Sequence, residues 1–158
     1  MNMLLPPLVA SSLLAGYLAT ITFDGADGDE RRYAADNMVK YHTLAVAEYY
    51  ATLGPTPEPV MLPFVEVLDW KSQRVADSTG QIWIITYAGD GAATRTSSIG
   101  EAAVTSIPFE LARTHYSGGT YGIWKGNVLE SDLGSISFVT PLPLPVPDGT
   151  PVIATLIR

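Results

Sequence analysis

Residues 30–53 read ERRYAADNMVKYHTLAVAEYYATL and carry a helical pattern around which the rest of the chain can be placed. Apolar side chains recur every three or four residues, as they do in a helix that packs one face on a core. Gly54 and Pro55 follow, and this pair is a usual stop signal. We therefore predict one amphipathic helix that packs against a sheet through Met38, Tyr41, Ala45, Tyr49 and Leu53.

The residues after this helix favour short strands and one more helix. QIWIITY (residues 81–87) is rich in β-branched and aromatic side chains, as in a strand covered on both faces. Pro108 limits a second helix to a start near Thr105, because proline is tolerated only in the first turn. TYGIWKGNVLES (residues 120–131) predicts a hairpin that turns at residues 125–127.

The ends of this region are less regular. We predict only a short strand or turn over residues 65–70, and strands over residues 135–140 and 152–157. Prolines at 141, 143, 145 and 147 indicate extended edge backbone before the last strand. The predicted fold class is α+β and pilin-like: an N-terminal hydrophobic helix, then an amphipathic helix on a small, mostly antiparallel sheet with one further short helix.

The opening segment, residues 3–23, is MLLPPLVASSLLAGYLATITF and has no charged residue. As a helix it would span roughly 30 Å, the thickness of the hydrocarbon core of a bilayer. We predict a membrane anchor over residues 1–23, a hinge over 24–29 and a globular head over 30–158. The anchor side chains are Leu4, Leu5, Leu8, Val9, Leu13, Leu14, Tyr17, Leu18, Ile21 and Phe23.

Two other interpretations of the opening segment stay open. A cleaved secretory signal would have a basic start and a small-x-small cleavage site, and the first 23 residues contain neither Lys nor Arg. A buried helix of a soluble fold is the other alternative. With an anchor, we expect a single-pass protein of the bacterial inner membrane, with a short cytoplasmic N-terminus and the head in the periplasm.

Composition excludes several classes of function. The formal net charge is −7 and there is no block of Lys or Arg, so we predict no nucleic-acid partner. The chain has no Cys, which rules out disulfides, thiolate metal sites and cysteine nucleophiles. His42 and His115 are the only imidazoles, and no Ser lies in a G-x-S-x-G motif. We predict no enzyme activity, no catalytic residue, no metal site and no cofactor.

The order of these features resembles type IV pilin-like proteins, although no short basic leader precedes the apolar segment. The chain is more similar to PilM-type proteins of the thin (type IVb) conjugative pilus. The segments that carry this similarity are residues 36–55 (DNMVKYHTLAVAEYYATLGP), 81–90 (QIWIITYAGD), 120–131 and 145–153 (PVPDGTPVI). The resemblance implies a pilus-biogenesis part of the inner-membrane basal body, with a periplasmic head, protein partners and no catalytic residues.

Three functional hypotheses follow. The first is a membrane-anchored assembly component of a thin pilus or related secretion machine, with other machine proteins, and possible further copies of itself, as partners. The second is a secreted or periplasmic binding module released by cleavage near Phe23. The third is a small periplasmic enzyme, which would need a pocket that holds His42 or His115 beside a carboxylate.

Overall fold

The computed structural model describes residues 30–59, 61–89, 104–139 and 146–157. The described strands form a closed antiparallel barrel in the order β1-β2-β6-β3-β4-β5, with two helices against its outer surface. The elements are α1 (Glu30–Thr52), β1 (Trp70–Asp77), β2 (Ile82–Ala88), α2 (Ile107–Arg113), β3 (Thr120–Lys125), β4 (Val128–Ser131), β5 (Gly134–Val139) and β6 (Pro151–Leu156).

The long helix predicted from residue 30 is confirmed as α1, and it ends one residue before the predicted boundary. Leu53 follows it with a φ of 54°, a left-handed conformation that ends the helix. The backbone of the next segment then runs along β1, where the Pro55 carbonyl accepts a hydrogen bond from the N–H of Arg74 at 2.9 Å. The connector after α1 is therefore tied to the barrel.

β2 is confirmed as a strand covered on both faces. Its inward side chains Ile85 and Tyr87 belong to a core to which all six strands contribute, so this core fills the barrel. Ala88 belongs to a second core between the barrel and the helices, together with Met38 of α1 and Ile107 of α2. Because β2 faces both cores, its sequence has no polar alternation.

The predicted pilin-like fold, with a helix on a small sheet, is wrong, because the sheet closes on itself. The closing contact is between β1 and β5, where Ala76 pairs with Val139 and Asp77 pairs with Phe138. The sequence analysis missed β1, since WKSQRVAD has polar side chains at five of its eight positions. Two of these, at residues 72 and 77, are buried and hydrogen-bonded, and they hide the apolar alternation of a strand.

The predicted hairpin is confirmed as β3 and β4. Gly126 and Asn127 both have positive φ values, 51° and 68°, which is the geometry of a tight two-residue hairpin turn. Gly122 of β3 lies so close to β4 that a Cβ there would overlap the Glu130 carbonyl. The absence of a side chain at this position lets the two strands approach inside a small barrel.

Candidate functional site

A groove of about 420 Å³ lies between α1 and the segment that joins α2 to β3. The volume is in the range of sites that bind small ligands or parts of peptides. The lining combines apolar and neutral polar side chains with the imidazole rings, and its residues are Val39, His42, Thr43, Val46, His115, Tyr116, Ser117, Gly118 and Thr155.

The end of α2 fixes one wall of this groove. The N–H of Tyr116 donates to the Leu111 carbonyl at 3.0 Å, and the N–H of His115 donates to the Ala112 carbonyl at 3.1 Å. This pair of bonds is the Schellman motif, which requires a left-handed residue just after the helix. His115 takes that place with a φ of 54°, where glycine is the usual residue. The chain then turns back along α1 as the groove wall.

A chain of hydrogen bonds runs from the barrel to this wall. The Thr155 hydroxyl donates to the Gly118 carbonyl at 2.9 Å, so it accepts from His42 Nε2 at 2.8 Å. Nε2 therefore carries the ring proton, and Nδ1 accepts from the Thr86 hydroxyl at 2.7 Å. Thr86 in turn accepts from the Ser72 hydroxyl at 2.6 Å. The tautomer follows from the single proton of each hydroxyl.

His42 is the centre of this chain and is only 1% exposed. Burial lowers the pKa of its imidazole to about 3, because a charged ring would be desolvated there. The ring is neutral at pH 7, and both of its nitrogens are used in hydrogen bonds. His42 therefore organises the groove and leaves neither nitrogen available for a metal ion or a proton transfer.

The groove brings the two histidines to one place, which the sequence analysis did not predict. Neither Asp nor Glu is among its lining residues. The histidine–carboxylate pair that would favour the enzyme hypothesis is thus not seen in this groove. Within the part of the chain that the structure describes, no three His, Asp or Glu side chains are close enough to hold a metal ion.

The structure buries four of the five predicted packing residues of α1 and leaves the fifth exposed. Met38, Tyr41, Ala45 and Tyr49 are buried, the first three in the core between helices and barrel. Leu53 is 69% exposed beyond the helix end. Three of the five predicted residues thus pack on the outer surface of the barrel, and Tyr49 is buried outside that core.

The predicted anchor, from Leu4 to Phe23, and the hinge at residues 24–29 lie outside the described residues. Within the described ranges, no helix combines the length and the apolar character that a bilayer crossing requires.

Exposed aromatic rings are common contact surfaces, but the large rings of the strands are mostly internal here. Trp124 is 1% exposed and stacks on Phe138 inside the barrel, with ring centroids 5.6 Å apart. Trp83 packs edge-on against the same ring and donates from Nε1 to Asp77 at 2.8 Å. Tyr121 is half-buried beside Tyr116, at the groove. Of these rings, only the last is close to a candidate contact surface.

The groove could have been suspected from two residues. Thr86 and Thr155 each interrupt an otherwise apolar strand, and buried hydroxyls need partners. Their shared partner lies on α1, which no local pattern reveals.

Comparison of the chain with family models, with curated proteins and with solved structures finds no match in any of the three.

Proposed function

We propose that this protein is a membrane-tethered assembly component that works through protein–protein contacts of its barrel head. The observation that carries the proposal is the spacing of two features. The uncharged segment of 21 residues ends at Phe23, and α1 of the head begins seven residues later, at Glu30. Such a short link would hold the head close to the bilayer surface. This confinement would raise the effective concentration of the head for membrane-bound partners.

The machine that we propose is the thin conjugative pilus or a related secretion system of the inner membrane, with the head in the periplasm. This choice rests on the resemblance in the order of sequence features, over the α1, β2 and β3–β4 segments, to PilM-type proteins. The pilin-like fold is not part of this proposal, since the head is a closed barrel.

The groove beside α1 is the contact surface that we assign to the head. Its walls are rigid, because they are fixed by the Schellman motif and by the buried hydrogen-bond chain through His42. Preformed sites bind with a smaller loss of conformational entropy than flexible ones. A rigid groove close to a membrane suits the capture of a partner segment.

Membrane fractionation of cells that express the full chain, with intact-mass measurement of the recovered protein, tests the tether. We expect the chain in the membrane fraction with residues 1–23 retained. Leu13→Arg combined with Leu14→Arg should release it, because charged residues in the centre of an anchor are unfavourable. Asp27→Arg in the hinge is the matched control and should leave the fractionation unchanged.

A soluble protein with residues 1–23 intact would overturn the proposal. A soluble protein that begins near Phe23 would instead establish the secreted binding module.

A further inference from the structure

The groove presents hydrogen-bond donors without matching acceptors. Among the described residues, no acceptor pairs with the backbone N–H of Ser117 or Gly118, and both residues line the groove. The Gly118 carbonyl, by contrast, already accepts from Thr155. The exposed imidazole of His115 adds a further donor at the same end. We propose that the groove binds the free C-terminal carboxylate of a partner polypeptide whose last side chain is apolar.

The charge of the site supports a carboxylate. The chain as a whole has a net charge of −7, yet no acidic side chain lines the groove. Successive backbone N–H groups and an imidazole are the kinds of donor that capture chain termini in other recognition modes. An amide or an ester in the same place would gain less, since hydrogen bonds to a charged acceptor are the stronger ones.

The backbone at His115 determines where its imidazole lies. A residue with a side chain is strained at a φ of 54°, and glycine would close the Schellman motif without strain. Leu53 ends α1 with the same φ, so the backbone conformation alone assigns no function; at His115 it sets the side chain on the groove wall.

The apolar wall of the groove is the reason for an apolar last side chain, and the open shape of the groove is the reason for a polypeptide ligand. Val39 and Val46 lie two turns apart on the same face of α1, and the Tyr116 ring lies over Gly118 in the opposite wall. All three side chains are half-buried, so the groove is open along the helix and a chain can leave it towards solvent. An enclosed cavity would instead favour a small molecule. This inference rests on the proposed function and names the segment that the head recognises.

Amide NMR of the full chain in detergent micelles tests the proposal with three probes. They are the peptide acetyl-Gly-Ser-Gly-Leu with a free carboxylate, the same peptide as its C-terminal amide, and hexanoate. The free peptide should shift the Ser117 and Gly118 amide signals and saturate with a Kd below about 1 mM. The amide peptide should bind at least about tenfold more weakly, the loss expected for one charged hydrogen bond.

Three variants separate recognition from folding. His115→Gly should raise the unfolding midpoint and weaken binding of the free peptide several-fold, so a loss of binding is not a loss of structure. Val46→Glu should abolish binding by repulsion, whereas Ala47→Glu, on an exposed position outside the groove, should leave it unchanged.

Equal binding of the free and amide peptides, or no shift at Ser117 and Gly118, would overturn the proposal. Hexanoate binding as tight as that of the peptide would overturn the choice of a polypeptide. These outcomes do not bear on the proposed membrane tether, because the fractionation experiment tests that proposal separately.

Discussion

Replacing His42 by glutamine should remove most of the pH dependence of stability between pH 7 and pH 5. In the folded protein, burial lowers the pKa of His42 to about 3, whereas an unfolded chain has an ordinary histidine near 6.5. The unfolded state therefore binds a proton in this window and the folded state does not. The contribution of His42 to the free energy of unfolding is therefore fully present above pH 6.5 and decreases as the pH falls.

The size of the effect follows from the linkage relation. In the range between the two pKa values, 6.5 and about 3, each pH unit changes the free energy of unfolding by about 1.4 kcal/mol. Integrated from pH 7 to pH 5, the loss is about 2 kcal/mol, which shifts a urea midpoint by about 1 M for a domain of this size. The window ends at pH 5, where most carboxylates have not begun to titrate.

Urea denaturation at pH 7, 6 and 5 measures this slope. His42→Gln should unfold at lower urea at pH 7, because it disturbs the hydrogen-bond chain, and should then change little down to pH 5. His115→Asn is the matched control, since asparagine tolerates the left-handed conformation, and it should keep the slope. A wild-type His42 ring that titrates near pH 6.5 by NMR, or a slope that survives in His42→Gln, would refute the reasoning.

Three further changes test other parts of the fold. Gly122→Ala should destabilise by about 1–3 kcal/mol, because a methyl group would overlap the neighbouring strand, whereas Gly54→Ala should lie within about 1 kcal/mol of wild type in the same denaturation assay. The pKa of Asp77 is lowered to about 2, first by the hydrogen bond that it accepts from a threonine hydroxyl. Its contribution to the free energy of unfolding is therefore present above pH 4 and is lost as the pH falls to about 2. Asp77→Asn should flatten acid unfolding in that window, whereas Asp132→Asn on the exposed surface should not. His115→Gly should stabilise the protein by about 1 kcal/mol in thermal unfolding, since it removes left-handed strain, and a lower Tm would contradict the assigned geometry.

The sequence predicts those elements whose signals are local. α1 follows from a helical repeat with a Gly–Pro stop, β2 from a run of apolar residues, and the β3–β4 hairpin from the turn at Gly126 and Asn127. Each of these depends on residues within a few positions of one another. The predictions fail where a buried polar residue takes a distant partner, as in β1, because Ser72 looks like a surface residue until its partner Thr86 is known.

Barrel closure and the groove depend on non-local contacts. The closing pair joins Ala76 to Val139, and His42 binds residues 44 and 113 positions away. No periodicity or turn motif within one segment records such a pairing. A histidine on an apolar helical stripe looks like an ordinary core residue, and its role in holding the groove wall appears only when α1, β2 and β6 come together.

Site-specific photo-crosslinking in the native host tests the assembly function most directly. A photoreactive residue at position 46 lies in the groove, and one at position 47 lies on the exposed neighbouring position of α1. We predict a defined adduct at position 46, in the membrane fraction, with a protein of a pilus or secretion machine identified by mass spectrometry. Adduct formation that is absent at position 46, or equal at both positions, would contradict the account.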